Sequence, residues 1–183
     1  LEPGCTTLDL FARLRDLPCP ALLQSHGLDH PESAIDVLAA DPAMLVTYAD
    51  GMLEVGPHKI ATADPVRALK QVLPVADQHP TFRHGFIGSF GYDLAIDRRP
   101  GQRRPPDPTP LPAIAGGVYD WSIVVDNRRR ETRLHWREGT PTQRLDAVLE
   151  RLYRPARALH SFRIGPTFDS EWSLADYARA FDR

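Results

Sequence analysis

The chain has 183 residues and a formal charge of −2, so no global basic field draws it to nucleic acid or an acidic membrane. Hydrophobic residues make up 42% and charged residues 25%, the balance of a soluble globular domain with one sizeable core or two small ones. No apolar run approaches the roughly 20 residues that span a bilayer. Cys5 and Cys19 are the two cysteines, too few for a disulfide framework, and the cytoplasm is the expected compartment.

The first expected element is a helix. Thr6 and Thr7 offer capping hydroxyls, Asp9 favours the first-turn dipole, and Leu8, Phe11 and Leu14 recur at helical spacing before Pro18 and Pro20 end it. Ala21-Leu22-Leu23 reads as a short buried strand running into Gln24-Ser25. A polar loop from Ser25 to Ser33 follows, then a second strand from Ile35 to Ala40. Met44 to Ala49 and Met52 to Val55 flank Asp50-Gly51, a dipeptide suited to a two-residue type I′ turn, so they form a hairpin. Asp64-Pro65 starts a helix, with a cap and then proline at the first helical position, and Val66, Leu69, Val72 and Leu73 give it one apolar face.

Two glycine-bearing stretches come next, His84 to Leu94 and Gly116 to Asp126. Gly85, Gly88 and Gly91 lie three apart in an otherwise strand-like run, which predicts a strand crossed closely by a neighbour and then a sharp turn into a short helix. Both stretches read as central strands around which the chain packs. Between them, six of the 18 prolines fall from Pro100 to Pro112, a long loop rather than a domain linker. Val118 to Trp136 reads as a hairpin turning near Asp126-Asn127-Arg128. Thr140-Pro141 starts a third helix with an apolar stripe of Leu145, Val148, Leu149 and Leu152. Phe162 and Ile164 suggest a last short strand. Ser173 and Asp176 form a capping-box pattern before Leu174, Tyr177 and Phe181, and no stop signal precedes Arg183. The expectation is that the chain is the front part of a longer protein.

Few constellations carry chemistry. Ser25, His26, Asp29 and His30 crowd one loop, whereas a hydrolase triad draws its members from distant positions. His26 and His30 would share a helix face, but Gly27 and Pro31 argue against a helix. Arg128-Arg129-Arg130 reads as a solvated hairpin tip without an aromatic stacking platform. The glycines spell G-x-x-G-x-x-G with no following lysine, which is not a nucleotide fingerprint. Asp93 and Asp120, each after a tyrosine, read as turn caps rather than an acid pair. What remains is one plausible ligand loop, with hydroxyls at Ser25 and Ser33, and no catalytic set.

The stretches Leu22 to Pro42, Gly85 to Leu94 and Gly116 to Asp126, in this order and separation, resemble the amino-terminal region of aminodeoxychorismate synthase component I, a sister of anthranilate synthase component I. Phe90-Gly91-Tyr92-Asp93-Leu94 is shared across these chorismate-using relatives. The D-H-P-x-S-x-x-D pattern from Asp29 to Asp36 and the triplet Tyr119-Asp120-Trp121 point to the aminodeoxychorismate branch. The match is best from about residue 14 to 168, and residues 173–183 would begin a helix leading to an absent chorismate-binding domain.

The resemblance implies an α/β (α+β) fold in which two antiparallel sheets face each other with helices outside. It implies an enzyme that turns chorismate into 4-amino-4-deoxychorismate for p-aminobenzoate and folate, using ammonia from a glutamine amidotransferase subunit and Mg²⁺ to hold the substrate. The family's catalytic lysine, acid–base glutamate and Mg²⁺ ligands lie in the carboxy-terminal domain, so no catalytic or metal residue is assigned here. The family's tryptophan pocket maps onto Ser25, Glu32, Ser33, Ala34 and Ile35. Relatives often carry aromatic or arginine side chains where Glu32, Ala34 and Ile35 stand. Two other readings remain: anthranilate synthase component I itself, and a non-catalytic amino-acid-binding module.

Overall fold

The structure, a computed structural model, describes residues 5–25, 34–73, 79, 81–95, 111–154, 165, 170 and 172–181. Two antiparallel sheets carry the fold, each with its own core.

The four-stranded sheet has the order β1-β2-β8-β9, with β1 at Ala21–Leu23, β2 at Ile35–Ala39, β8 at Trp121–Asp126 and β9 at Glu131–Trp136. Helices α1 (Thr7–Leu14) and α3 (Thr142–Tyr153) cover one face. Alternation along the strands sends Leu38, Trp121 and Ile123 to that face, where they meet Leu10, Leu14, Val148 and Leu152. Each such fully buried leucine or isoleucine contributes about 1.5–3 kcal/mol. Val37, Ala39, Ser122 and Val124 are also buried. The Ser122 hydroxyl donates to the Arg83 carbonyl at 2.7 Å and so pins the segment before Gly85.

The five-stranded sheet has the order β5-β4-β3-β7-β6, with β3 at Met44–Ala49, β4 at Met52–Val55, β5 at His58–Ala61, β6 at Gly85–Phe90 and β7 at Ile114–Tyr119. Helix α2 (Pro65–Val72) packs Ala68 and Leu69 against Val46, Leu53, Val55 and Ile114. The β3–β4 hairpin turns on Asp50 and Gly51 at φ 50° and 77°, the left-handed pair that a type I′ turn requires.

Local chemistry sets the helix ends. Thr6 caps α1 by accepting from the Asp9 amide at 3.2 Å while Asp9 Oδ2 accepts from the Thr6 amide at 2.9 Å, a reciprocal box. Asp64 accepts from the Arg67 amide and Pro65 opens α2. Ser173 and Asp176 repeat the box at α4 (Leu174–Phe181).

Several expectations change. The stretch from Gly116 to Asp126 is not one central strand: it breaks at Asp120, leaving β7 in one sheet and β8 in the other. The hairpin therefore starts at Trp121 rather than Val118. Among the described residues β6 lies at a sheet edge, not the centre. The predicted close crossing is present, since Gly88 stands opposite Gly116, and Gly91 leads into a 3-10 turn at Tyr92–Ala95. Leu10, not Leu8, joins Leu14 on the buried face of α1, since the two lie four residues apart. Pro141 occupies the cap position of α3, and the Thr140 hydroxyl donates instead to the Arg137 carbonyl at 2.7 Å. Of the expected stripe, Val148 and Leu152 are buried, Leu145 is half-buried and Leu149 turns outward. Strand β5 was not expected. The proposed strand at Phe162 and Ile164 and most of the proline-rich loop lie outside the described residues.

Candidate functional site

The segment read from sequence as a ligand loop connects β1 to β2, and a buried acid, Asp36, holds its Ser25 flank. The β1–β2 ladder ends at Leu23 opposite Val37. Beyond it, the Ser25 amide donates to Asp36 Oδ1 at 2.8 Å, and the Ser25 hydroxyl donates to the Ile35 carbonyl at 2.8 Å. Asp36 Oδ2 accepts from the Thr7 hydroxyl at 2.6 Å and from Asn127 Nδ2 at 3.0 Å. The Asn127 amide in turn donates to the Ala34 carbonyl at 2.8 Å. Asp36 is only 2% exposed, and a carboxylate so placed persists because it is hydrogen-bonded on both oxygens.

Ser25 and Ile35 are thus brought together, with Ala34 beside them, all three half-buried. Glu32 and Ser33 lie outside the described residues, as do His26, Asp29 and His30. Residue-level reading missed Asp36, Thr7 and Asn127 as parts of this arrangement. The signal was an acid in the apolar run Ile35 to Ala40, where a strand buried on both faces has no solvent for it.

A second buried acid marks the passage between the sheets. Asp120 pairs with Arg144 Nη1 of α3 at 3.1 Å, and Arg144 Nη2 reaches Asp41 Oδ2 at 2.9 Å and also bonds the Asp41 carbonyl. This holds Asp41 at φ 51°, a left-handed value uncommon outside glycine. Next to it, the Tyr119 hydroxyl donates to the Cys19 carbonyl at 2.8 Å, and burial pushes its pKa above the usual tyrosine value. Arg128, Arg129 and Arg130 sit exposed at the β8–β9 turn, with two of their amides capped by Asp126 Oδ1.

Among the described residues no three His, Cys, Asp or Glu side chains gather to hold a metal ion. The described residues therefore offer no ligand set for Mg²⁺. Among the same residues no helix is long and apolar enough to cross a membrane.

No protein-family model matches the chain. Aminodeoxychorismate synthase component 1 of Escherichia coli (strain K12) is 36% identical over 133 residues, which cover 68% of this chain and 29% of that protein. The protein of the same name from Klebsiella aerogenes is 31% identical over 180 residues, covering 93% of this chain and 39% of that one. Anthranilate synthase component 1 of Thermococcus kodakarensis is 26% identical over 66% of this chain and 26% of its own length. The chain therefore spans well under half the length of these relatives. In fold it matches the crystal structure of anthranilate synthase component I from Streptococcus pneumoniae TIGR4, with a TM-score of 0.59 and 24% identity over 71% of this chain and 32% of that one. The chain belongs to the chorismate-utilising superfamily that contains component I of the aminodeoxychorismate and anthranilate synthases.

Proposed function

We propose that the chain is the amino-terminal portion of an aminodeoxychorismate synthase component I. With a glutamine amidotransferase subunit, and with Mg²⁺ bound in a carboxy-terminal chorismate-binding domain, the whole protein converts chorismate to 4-amino-4-deoxychorismate on the route to p-aminobenzoate and folate. The observation that carries this branch is identity of 31–36% to three proteins of that name, against 26% to the anthranilate synthases. Two motifs that suggested the branch, ending at Asp36 and centred on Asp120, supply two of the buried polar side chains of the fold. In this reading the chain is a scaffold that covers the catalytic domain and helps dock the glutaminase, in the cytoplasm. By itself it is inactive.

The test is a product assay on the full-length protein with chorismate, ammonium and Mg²⁺. Aminodeoxychorismate as the product supports the proposal, and anthranilate assigns the protein to the sister enzyme. The 183-residue chain in the same assay is expected to yield neither; turnover that co-purifies with it would overturn the scaffold reading.

We further propose an amino-acid pocket of the tryptophan type built on Ser25, Glu32, Ser33, Ala34 and Ile35. It draws support from the half-buried Ser25–Ile35 contact. The Ser25 proton is committed to the Ile35 carbonyl, so its oxygen offers acceptor lone pairs, suited to an ammonium or indole N–H.

A further inference from the structure

We propose that β6 is a self-pairing edge, through which two copies of this chain join antiparallel about a twofold axis at Gly88. Among the described residues β6 has a neighbour on one side only, β7. The Gly91 amide donates to the Ala113 carbonyl, in step with the pairs Ser89–Ala115 and Ile87–Gly117. Antiparallel bonds alternate, so Phe86, Gly88 and Phe90 belong to the non-hydrogen-bonded pairs, and their N–H and C=O groups point away from β7. The close approach at Gly88 agrees: a methyl there would lie 2.8 Å from Gly116 Cα. Gly88, Ser89 and Phe90 are exposed, Phe90 by 50%.

An open edge invites another strand, and proteins blunt such edges with charge, proline or shortness. The other sheet edges among the described residues do so. Strand β1 has three residues and follows Pro20, β5 has four and carries Lys59, and β9 carries Glu131 and Arg133. Strand β6 has six residues, and no charged residue or proline stands between His84 and Asp93. The residue order also selects the occupant. Gly85-Phe86-Ile87-Gly88-Ser89-Phe90-Gly91 reads the same from both ends except at Ile87 and Ser89. Turned about Gly88, a second copy sets Gly88 against Gly88 and Phe86 against Phe90, so each outward N–H meets an outward C=O. The exposed Phe90 ring then lies beside Phe86 of the other copy, continuing the edge-on pair these rings make within one chain. The contact is isologous and closes at two chains. An edge this short makes a weak, transient dimer.

The experiment uses the 183-residue chain and two readouts. In sedimentation equilibrium between about 10 μM and 1 mM, the mean mass should rise from 20.5 kDa towards twice that. Over the same range amide exchange should slow at Phe86, Gly88 and Phe90, while Ile87 and Ser89, bonded to β7, stay protected at every concentration. Ser89→Lys sets two lysines diagonally across the axis and should raise the dimer Kd at least about tenfold. Ser89→Glu should do the same, and an equimolar mixture of the two variants should dimerise again. Thr132→Lys, on the β9 edge, is the control and should leave the dimer unchanged. A parent chain still monomeric at about 1 mM overturns the proposal. So does a dimer that Ser89→Lys and Ser89→Glu leave intact, or one whose outward amides gain no protection. If the parent stays monomeric while a longer protein containing this chain protects the same three amides, the edge belongs to a strand of that protein and self-pairing falls.

Discussion

Gly116→Ala tests the close approach of β6 and β7 that both glycine-rich stretches serve. A methyl on Gly116 would lie 2.4 Å from the Ile87 carbonyl oxygen, 2.6 Å from Gly88 Cα and 2.8 Å from Phe86 Cε2. Gly88 is symmetrical with it: a methyl there meets the Ala115 carbonyl at 2.3 Å and the same ring at 2.5 Å. The two glycines face each other across the ladder, and the Phe86 ring lies over both, edge-on to Phe90 at 5.6 Å. A ring laid over facing glycines covers backbone that would otherwise stand bare. Overpacking costs about 1–3 kcal/mol, and the upper end applies because two of the three atoms are backbone in a paired ladder. The restricted unfolded chain returns about 0.4–1 kcal/mol, leaving a loss of about 2–3 kcal/mol. For a chain of this size that lowers Tm by about 4–12 °C. Urea and thermal unfolding of the full chain measure it, with Gly165→Ala, which meets nothing within 4 Å, as the neutral control. Phe86→Leu added to Gly116→Ala should not restore stability, because the backbone contacts remain. A Gly116→Ala protein within about 0.5 kcal/mol of the parent would refute the reasoning.

Arg144→Met should destabilise by about 3 kcal/mol, since it leaves the Asp120 carboxylate buried without its partner; urea denaturation gives the value, and a loss under about 1 kcal/mol would contradict it. Thr6 holds the Asp9 carboxyl below the usual aspartate range, so the α1 cap is fully formed above about pH 4 and is lost as pH falls through the lower folded value. Amide exchange in α1, corrected for its intrinsic pH dependence, should therefore accelerate only in acid, and acceleration on the alkaline side would contradict the sign. Helix α4 has eight residues, none buried, with Leu174 85% and Phe181 82% exposed, so its amides should exchange rapidly in a dilute monomer of the 183-residue chain. The same chain should bind tryptophan no tighter than about 1 mM, because an isoleucine in place of a ring forfeits about 0.5–1.5 kcal/mol of contact; a micromolar Kd in calorimetry would show a complete site.

The parts legible in sequence were those fixed by short-range chemistry. Asp50-Gly51, Asp64-Pro65 and Ser173 with Asp176 each specify their geometry within a few residues, and each is realised. Strand order was not legible. From Val118 to Val125 the apolar pattern runs almost unbroken, and nothing local shows that the chain changes sheets at Asp120. The change is stabilised from a distance, by Arg144 on α3 and the Tyr119 bond to Cys19. Strand β5 escaped notice because His58 and Lys59 lack β propensity and the strand is recruited by pairing with β4. For the proposed pocket, Ser25 was legible as a hydroxyl at the end of a polar loop and Ala34 and Ile35 came from resemblance, whereas the hydrogen bonds of Asp36, Thr7 and Asn127 came only from the structure.

That division bears on what the motifs report. The motif acids Asp36 and Asp120 both sit where separate elements meet: Asp36 where α1, β1 and the β8–β9 turn converge, Asp120 where the two sheets join beside α3. The Asp36 carboxylate takes donors from three elements, whereas among the described residues the Asp120 carboxylate relies on Arg144 of α3 alone, so removing that partner leaves a desolvated acid. A single substitution at such a node is costly, while a side chain in partial contact with solvent can change at less cost to the fold. If the proposed pocket holds, the same logic lets glutamate, alanine and isoleucine stand at 32, 34 and 35 beside Ser25 and Asp36. The buried acids and the proposed pocket lining answer to different demands, so resemblance carries the fold further than it carries a ligand.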